Sequence, residues 1–322
     1  MRMGSLTGRA KTASDIRVVA TSFTVSIGDV LLNFIVAVIT GSSVMLSQSL
    51  QGLSDLITGG ILYKGVRRSR RQADLKYQFG YGREIFFWVL IAGIIMFLGT
   101  GGLSLFFGYR QIINPDPVEN VWLAFGMLVF GFITNGYALS LSVKRLHHAE
   151  PGSSWWQQLL RSSIVETKAT LLIDFLGASG TVLGLIALTV YVLTGNPQFD
   201  GFGSMAIGLS MMTGAVLLIR DVRDLIVGRS VGEDISEQII GATKTVKGVQ
   251  AVLDLRTMYL GSAKLLVIIE VHVQDGLDTD QIELIIDNIK TVVRTSIPQV
   301  HDIQVEIETP EGESISPRSI DN

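Results

Sequence analysis

Cysteine is absent from this chain of 322 residues, and its absence excludes disulfide bonds, thiolate metal sites and cysteine nucleophiles. Histidine is scarce, with four residues, and only 17% of the residues are charged. The formal net charge of -3 gives no basic surface for nucleic acid. Apolar residues make up 48% of the chain, and its mean hydropathy is +0.42. This composition indicates a protein embedded in a lipid bilayer.

Six apolar segments are long enough to cross a bilayer, for which a helix needs roughly 20 residues. They cover residues 18–39, 44–63, 85–107, 121–141, 164–193 and 202–219. Lipid offers no hydrogen-bond partners to the backbone, so these segments are predicted to be helices. Only residues 40–43 separate the first two segments, which predicts a tight antiparallel hairpin. The expected transmembrane domain covers residues 18–219.

Lysine and arginine are unevenly distributed among the loops. They are concentrated before the first segment, between the second and third, and between the fourth and fifth, whereas the opposite loops contain Arg110 alone. The positive-inside rule then places both termini, including the segment 1–17, in the cytosol. We expect an integral protein of the plasma membrane, with an organelle membrane as the alternative.

The chain after residue 219 has the pattern of a water-soluble domain. Helices are predicted at residues 233–246 and 279–297, and strands at 249–258, 264–274 and 303–308. This αββαβ order over residues 220–308 predicts a small α+β cytosolic domain with helices on one face of an open sheet. So small a domain buries a modest core, so we expect it to dimerise. Residues 309–322 are expected to be disordered.

Three acidic residues lie within the predicted spans: Asp29, Asp55 and Asp174. Carboxylates at membrane depth are costly and usually functional. Gln51 precedes Asp55 by four residues, and Thr170 precedes Asp174 by four, so each pair shares a helix face. Two such faces opposed would form an oxygen-lined site for a divalent cation. The alternative is that each aspartate only satisfies a buried hydroxyl or caps a broken turn.

Several short motifs, in order and spacing, resemble the cation diffusion facilitator (cation efflux) family over nearly the whole chain. They are Gly41-Ser42 before the second span, residues 79–84 before the third, Asn114-Pro115, Asp200 with Gly203-Ser204, Gly248-Val249 and Asp254-Leu255-Arg256. Residues 194–197 and 228–230 look most similar to the zinc transporter nine branch. The resemblance implies a homodimeric exporter with a ferredoxin-like cytosolic domain. It also implies exchange of cytosolic metal, usually zinc, for protons by alternating access.

The resemblance further implies a membrane site of two [His/Asp]-x-x-x-Asp pairs, one on the second helix and one on the fifth. Asp55 and Asp174 match this pattern, but Gln51 and Thr170 replace the usual His or Asp. The predicted metal ligands are therefore Gln51, Asp55, Thr170 and Asp174. Oxygen ligands suit harder cations such as Mg²⁺ or Mn²⁺ better than zinc. The transported cation is expected to be Zn²⁺, Mn²⁺, Fe²⁺, Co²⁺ or Mg²⁺, with no prosthetic group.

Two functions other than metal transport are alternatives for such a chain. A family member that lost two ligands could act as a transport-incompetent partner or a metal-sensing subunit. An enzyme is not expected, because the sequence has no nucleophile and base pairing and no cofactor motif.

Further candidate ligands have simpler alternative explanations. Asp29 with Asn33 either joins the site or lines a water-filled vestibule, and Glu166 is either a cytosolic-side ligand or a solvated acid. The other candidates are His147-His148, Asp74 with Tyr81, and a regulatory set of Glu270, His272, His301 and Glu306 in the cytosolic domain.

Overall fold

The structure is a computed structural model that describes residues 26–149 and 165–310. The described residues form two compact units. One contains the long apolar helices up to Arg223. The other contains the chain from Asp224 onward together with the loop Gln72–Arg83. The predicted segments 1–17 and 311–322 lie outside the described residues.

The first unit consists of long helices. They are α1 (Ser26–Thr40), α2 (Ser43–Ser69), α3 (Glu84–Ile113), α4 (Val121–Ala149), α5 (Val165–Thr194) and α6 (Gln198–Val227). Helices α3 to α6 are long and apolar enough to cross a membrane, whereas α1 is shorter within the described residues. Helix α2 has 27 residues, but its buried face is rich in serine, glutamine and threonine. The chain is an integral membrane protein, and the count of six spans stays a prediction.

A tight turn joins α1 to α2, as the short separation of their apolar segments predicts. Gly41 has a φ of 65°, a left-handed conformation that glycine adopts at no steric cost. Ser42 then caps α2, because its Oγ accepts a hydrogen bond from the backbone N–H of Met45 at 3.2 Å.

Helices α3 and α6 pack backbone against backbone through glycine. A Cβ added to Gly201 would lie 2.7 Å from the carbonyl oxygen of Gly108, and one added to Gly208 would lie 2.9 Å from that of Gly101. Small residues permit such close approach of helices in lipid. The middle of α3, Met96–Gly102, is a π-helical stretch, which is a common local irregularity in long helices.

The second unit contains α7 (Glu233–Lys244), β1 (Val249–Gly261), β2 (Lys264–Val273), α8 (Thr279–Ser296) and β3 (Val300–Ile307). Strand β2 is central, antiparallel to β1 and parallel to β3. The predicted αββαβ order and small α+β domain are confirmed, whereas the ferredoxin-like assignment stays a prediction.

Helix packing explains why β2 alternates between buried and half-buried residues. Its buried side chains belong to a core with residues of the helices, namely Ile239, Leu265, Val267, Ile269, Val271, Ile285, Ile289 and Val293. Helix α8 begins with a capping box, in which Asp278 Oδ1 accepts from Gln281 N at 2.8 Å and Gln281 Oε1 accepts from Asp278 N at 3.1 Å.

The loop Gln72–Arg83 contacts the hairpin between β1 and β2. A Cβ added to Gly82 would lie 2.3 Å from the carbonyl oxygen of Leu260, so only glycine fits there. The predicted transmembrane domain, residues 18–219, includes this loop. In the structure its contacts group it with the C-terminal unit, and the predicted domain limits stay a prediction.

Candidate functional site

Asp55 on α2 and Asp174 on α5 lie near each other within the helical unit. The carboxylate of Asp55 interacts electrostatically with that of Asp174 and, more weakly, with that of Asp29 on α1. Both Asp55 and Asp174 are half-buried. Two like charges at this depth repel each other unless a cation or protons neutralise them. Asp55 and Asp174 thus lie on two helices of the same unit, and their joining in one metal site stays a prediction.

A serine on a third helix contacts this pair. Ser142 is a buried residue of α4, and its hydroxyl donates a hydrogen bond to Asp174 Oδ2. A hydrogen bond to a carboxylate is stronger than one between neutral groups, so it orients the carboxyl group of Asp174. Ser142 is not among the residues predicted for the site, because a hydroxyl near the end of an apolar helix is not distinctive in the sequence.

The other two predicted ligands are Gln51 on α2 and Thr170 on α5, each one turn before an aspartate of its own helix. Gln51 is 4% exposed, and its amide lies against Gly177 and Gly180, beyond Asp174 in the chain. Thr170 is half-buried, one turn before Asp174. The assignment of these two side chains to one metal site with the aspartates stays a prediction.

Asn33 follows Asp29 by one turn on α1 and contacts it. The Asn33 amide donates to the backbone carbonyl of Asp29 at 2.9 Å, as polar side chains commonly do within a helix. Asp29 Oδ1 is buried without a hydrogen-bond partner among the described residues.

Asp200, at the start of α6, is fully buried and binds the start of α2. Its carboxylate accepts hydrogen bonds from the backbone N–H groups of Ser43 at 2.6 Å and Val44 at 3.2 Å, and from the hydroxyls of Ser42 and Ser43. It lies at the positive ends of the α2 and α6 helix dipoles, where a negative charge is favoured. Asp200 belongs to the motifs that carry the family resemblance, but it is not among the three acids predicted to lie within the membrane spans.

An ion pair joins α5 to α6. Lys168 Nζ lies 2.9 Å from Asp221 Oδ2, and the two side chains are 14% and 21% exposed. Partial burial reduces screening by solvent, so this pair is stronger than one on the surface.

The remaining candidates are more scattered. No three His, Cys, Asp or Glu side chains within residues 26–149 and 165–310 are arranged to hold a metal ion. The side chains of Glu166, His147 and His148 lie outside the described residues. The Tyr81 hydroxyl donates to Asp74 Oδ2 at 2.6 Å, so this pair forms a hydrogen bond within the loop.

In the C-terminal unit, Glu270 lies among charged side chains on the sheet. Burial raises the pKa of Glu270 above its usual 4.5, Arg256 Nη2 at 3.2 Å opposes this, and neighbouring acids add to it. These acids are Asp254, Glu306 and Glu308. His272 Nδ1 contacts the Glu308 carbonyl oxygen at 3.1 Å, and His301 is exposed.

Two known protein families match most of this chain. Residues 19–227 match the cation efflux transmembrane domain, and residues 231–310 match the cytoplasmic domain of cation efflux proteins. This chain belongs to the cation efflux family. The match confirms the resemblance that the sequence motifs indicate.

Cation efflux relatives include the mitochondrial proton-coupled zinc antiporter SLC30A9 of Xenopus laevis, 26% identical over 264 residues and 79% of this chain. The human protein of that name is 24% identical over 81% of this chain. The match spans 47% of each of these two relatives, about half their length. The cation-efflux pump FieF of Yersinia pestis is 23% identical, over 73% of this chain and 72% of its own.

Among solved structures, the nickel form of a MamM CTD variant is similar to this cation efflux protein. It is 24% identical, covers 25% of this chain and 100% of that one, and has a TM-score of 0.24.

Proposed function

We propose that this protein is a divalent metal cation efflux transporter, with its site between α2 and α5. The observation that supports the proposal most strongly is the match of residues 19–227 to the cation efflux transmembrane domain, in which Asp55 lies on α2 and Asp174, hydrogen-bonded by Ser142, lies on α5. Gln51 and Thr170 complete the proposed ligand set. Alternating access would expose this site to either side of the membrane.

Charge balance favours an exchange of cation for protons. Two carboxylates match the charge of one divalent cation, and two protons can neutralise the same pair after the cation leaves. The hydrogen bond from Ser142 orients one of these carboxylates. Relatives are named proton-coupled zinc antiporters, which supports proton coupling by analogy.

The ligand set favours a hard cation over zinc. It contains carboxylate, amide and hydroxyl oxygens and no imidazole, and such oxygens suit Mn²⁺ or Mg²⁺. The names of the relatives favour zinc. We therefore keep Zn²⁺, Mn²⁺, Fe²⁺, Co²⁺ and Mg²⁺ as the candidate cargo.

The remaining features of the proposal concern assembly and topology. We propose six transmembrane helices, both termini in the cytosol, and a homodimer held in part by the cytoplasmic domain. A plasma-membrane location stays a prediction, and the two zinc antiporter relatives are named as mitochondrial proteins. The alternative function is a transport-incompetent partner or metal-sensing subunit, because Gln51 and Thr170 replace the usual ligands.

Metal uptake into proteoliposomes, at several pH gradients and with the five cations in competition, tests the function. Efflux activity predicts uptake that increases with an opposing proton gradient and favours Mn²⁺ over Zn²⁺. Preference for zinc would contradict the ligand argument, and uptake that ignores the pH gradient would contradict proton exchange. Absence of uptake for all five cations would favour the transport-incompetent alternative.

A further inference from the structure

Four polar side chains from three helices converge one to two helical turns from the aspartates along α2 and α5. Gln48 and Gln51 come from α2, Asn135 from α4 and Thr181 from α5, and we call them the amide cluster. Gln51 also belongs to the proposed ligand set of the aspartates, so the two groups share this residue. The Asn135 amide donates to Thr181 Oγ1 at 3.0 Å, and Thr181 Oγ1 lies 3.3 Å from Gln48 Oε1. Polar side chains within apolar helices commonly bind one another or a ligand.

Two glycines of α5 make room for these side chains. A Cβ added to Gly180 would lie 2.8 Å from Gln51 Oε1 and 3.4 Å from Gln48 Nε2. One added to Gly177 would lie 3.1 Å from Gln51 Nε2 and 3.5 Å from Asn135 Oδ1. Any larger residue at either position would displace the amides, so the cluster depends on this glycine surface.

The cluster is incompletely hydrogen-bonded. Gln48 and Gln51 are 8% and 4% exposed, yet Gln48 Nε2 and Gln51 Oε1 have no hydrogen-bond partner among the described residues. Thr181 has a single hydroxyl proton, and the Gly177 carbonyl oxygen competes for it at 2.9 Å. Buried amide atoms are nearly always paired. The unpaired Gln51 Oε1 is free to coordinate a cation, whereas the unpaired Gln48 Nε2 is a donor and is free to bind a water molecule that accompanies the cation.

The cluster lies on one side of the aspartates along the helices. Gln48 and Gln51 precede Asp55 on α2, and Thr181 follows Asp174 on α5. Because the start of α2 lies beside the end of α5, with Val44 against Gly184, all four side chains lie toward the turn between α1 and α2. In the proposed topology this is the side to which the cation is released.

We propose that the amide cluster is a second cation station, which receives a partly hydrated divalent cation from Asp55 and Asp174 and releases it. This inference rests on the proposed function. Neutral amide and hydroxyl oxygens coordinate hard cations but add no charge. A station of this kind holds the ion weakly, as a transport path requires at its exit.

The test compares Mn²⁺ uptake by variants in proteoliposomes. Thr181→Val and Asn135→Leu keep the branching of the side chain but remove the hydroxyl group and the amide group, respectively. We expect the maximal rate to fall about tenfold, the size of a typical supporting-ligand effect, with little change in KM because the aspartates remain. Thr134→Val is the matched control, since Thr134 is exposed on α4 and bonds within its own helix. It should transport like the wild type.

Binding measurements give a second, independent result. Asn135→Asp adds a carboxylate to the cluster, so titration calorimetry with Mn²⁺ should show a second bound ion per chain. An unchanged stoichiometry together with wild-type uptake by Thr181→Val and Asn135→Leu would overturn the station and leave a cluster that holds water only. Absence of uptake by the wild-type protein would instead overturn the proposed function itself.

Discussion

Asp200 Oδ2 accepts a hydrogen bond of 2.6 Å from the backbone N–H of Ser43, the first residue of α2. The carboxylate of one helix therefore caps the start of another that is distant in the chain. Because α2 contains Asp55, this contact fixes the end of the helix that positions the candidate site. Ser47 and Ser204 extend the connection between α2 and α6 with a hydroxyl contact of 2.7 Å.

Replacing Asp200 with alanine should destabilise the helical unit. The substitution leaves the buried N–H groups of Ser43 and Val44 without their partner, and an unsatisfied buried donor costs about 1–3 kcal/mol. Thermal unfolding in detergent measures the effect. Asp116→Ala is the control, because Asp116 is exposed. Equal melting temperatures for the two variants would show that the Asp200 contacts contribute nothing.

Gly208→Leu should disrupt the packing of α3 on α6. The new side chain would meet backbone atoms, namely the carbonyl oxygen of Gly101 and the N–H of Leu105, both 2.9 Å from its Cβ. Such overpacking typically costs about 1–3 kcal/mol. Gly126→Leu is the control, because Gly126 has no heavy atom within 4 Å of an added Cβ. Thermal unfolding should separate the two variants, and equal stability would contradict the close packing.

The Lys168–Asp221 pair should show energetic coupling. A double-mutant cycle with Lys168→Met and Asp221→Asn should give a coupling free energy of roughly 0.5–3 kcal/mol, as for other contacting pairs. Unfolding in detergent supplies the four free energies. A cycle of Lys168→Met with the exposed Asp116→Asn should be additive. Additivity in both cycles would mean that the ion pair does not stabilise the contact of α5 with α6.

Glu270 should make the stability of the sheet depend on pH. Its pKa is raised above 4.5 in the folded protein, so the folded state favours the protonated carboxyl group. The sheet should therefore lose stability as the pH rises from 4.5 through the folded pKa, and the loss should be complete above it.

Hydrogen exchange of the β2 amides in the full chain, corrected for intrinsic rates, measures this loss. Glu270→Gln should reduce the loss, whereas Glu283→Gln, at an exposed position of α8, should leave it unchanged. A Glu270→Gln variant that loses as much protection as the wild type would contradict the raised pKa.

The apolar segments and the alternating strands were predictable, because each depends on a local period. Asp55 and Asp174 stand out in the sequence, since charge is rare in apolar helices, and their pairing in one metal site stays a prediction. The roles of Ser142, Asn135 and Gln48 were not, because neutral polar residues are tolerated on many helix faces and only the packing of α2, α4 and α5 brings them together. The role of Asp200 was missed for a similar reason: its partners are more than 150 residues away in the chain.

Metal uptake by aspartate variants in proteoliposomes tests the central claim most directly. If Asp55 and Asp174 hold one cation together, Asp55→Asn and Asp174→Asn should each abolish uptake, and the double variant should be no worse than either, because residues that act as a unit are not additive. Asp116→Asn, at an exposed position, should transport normally. Wild-type uptake by the double variant would contradict the claim.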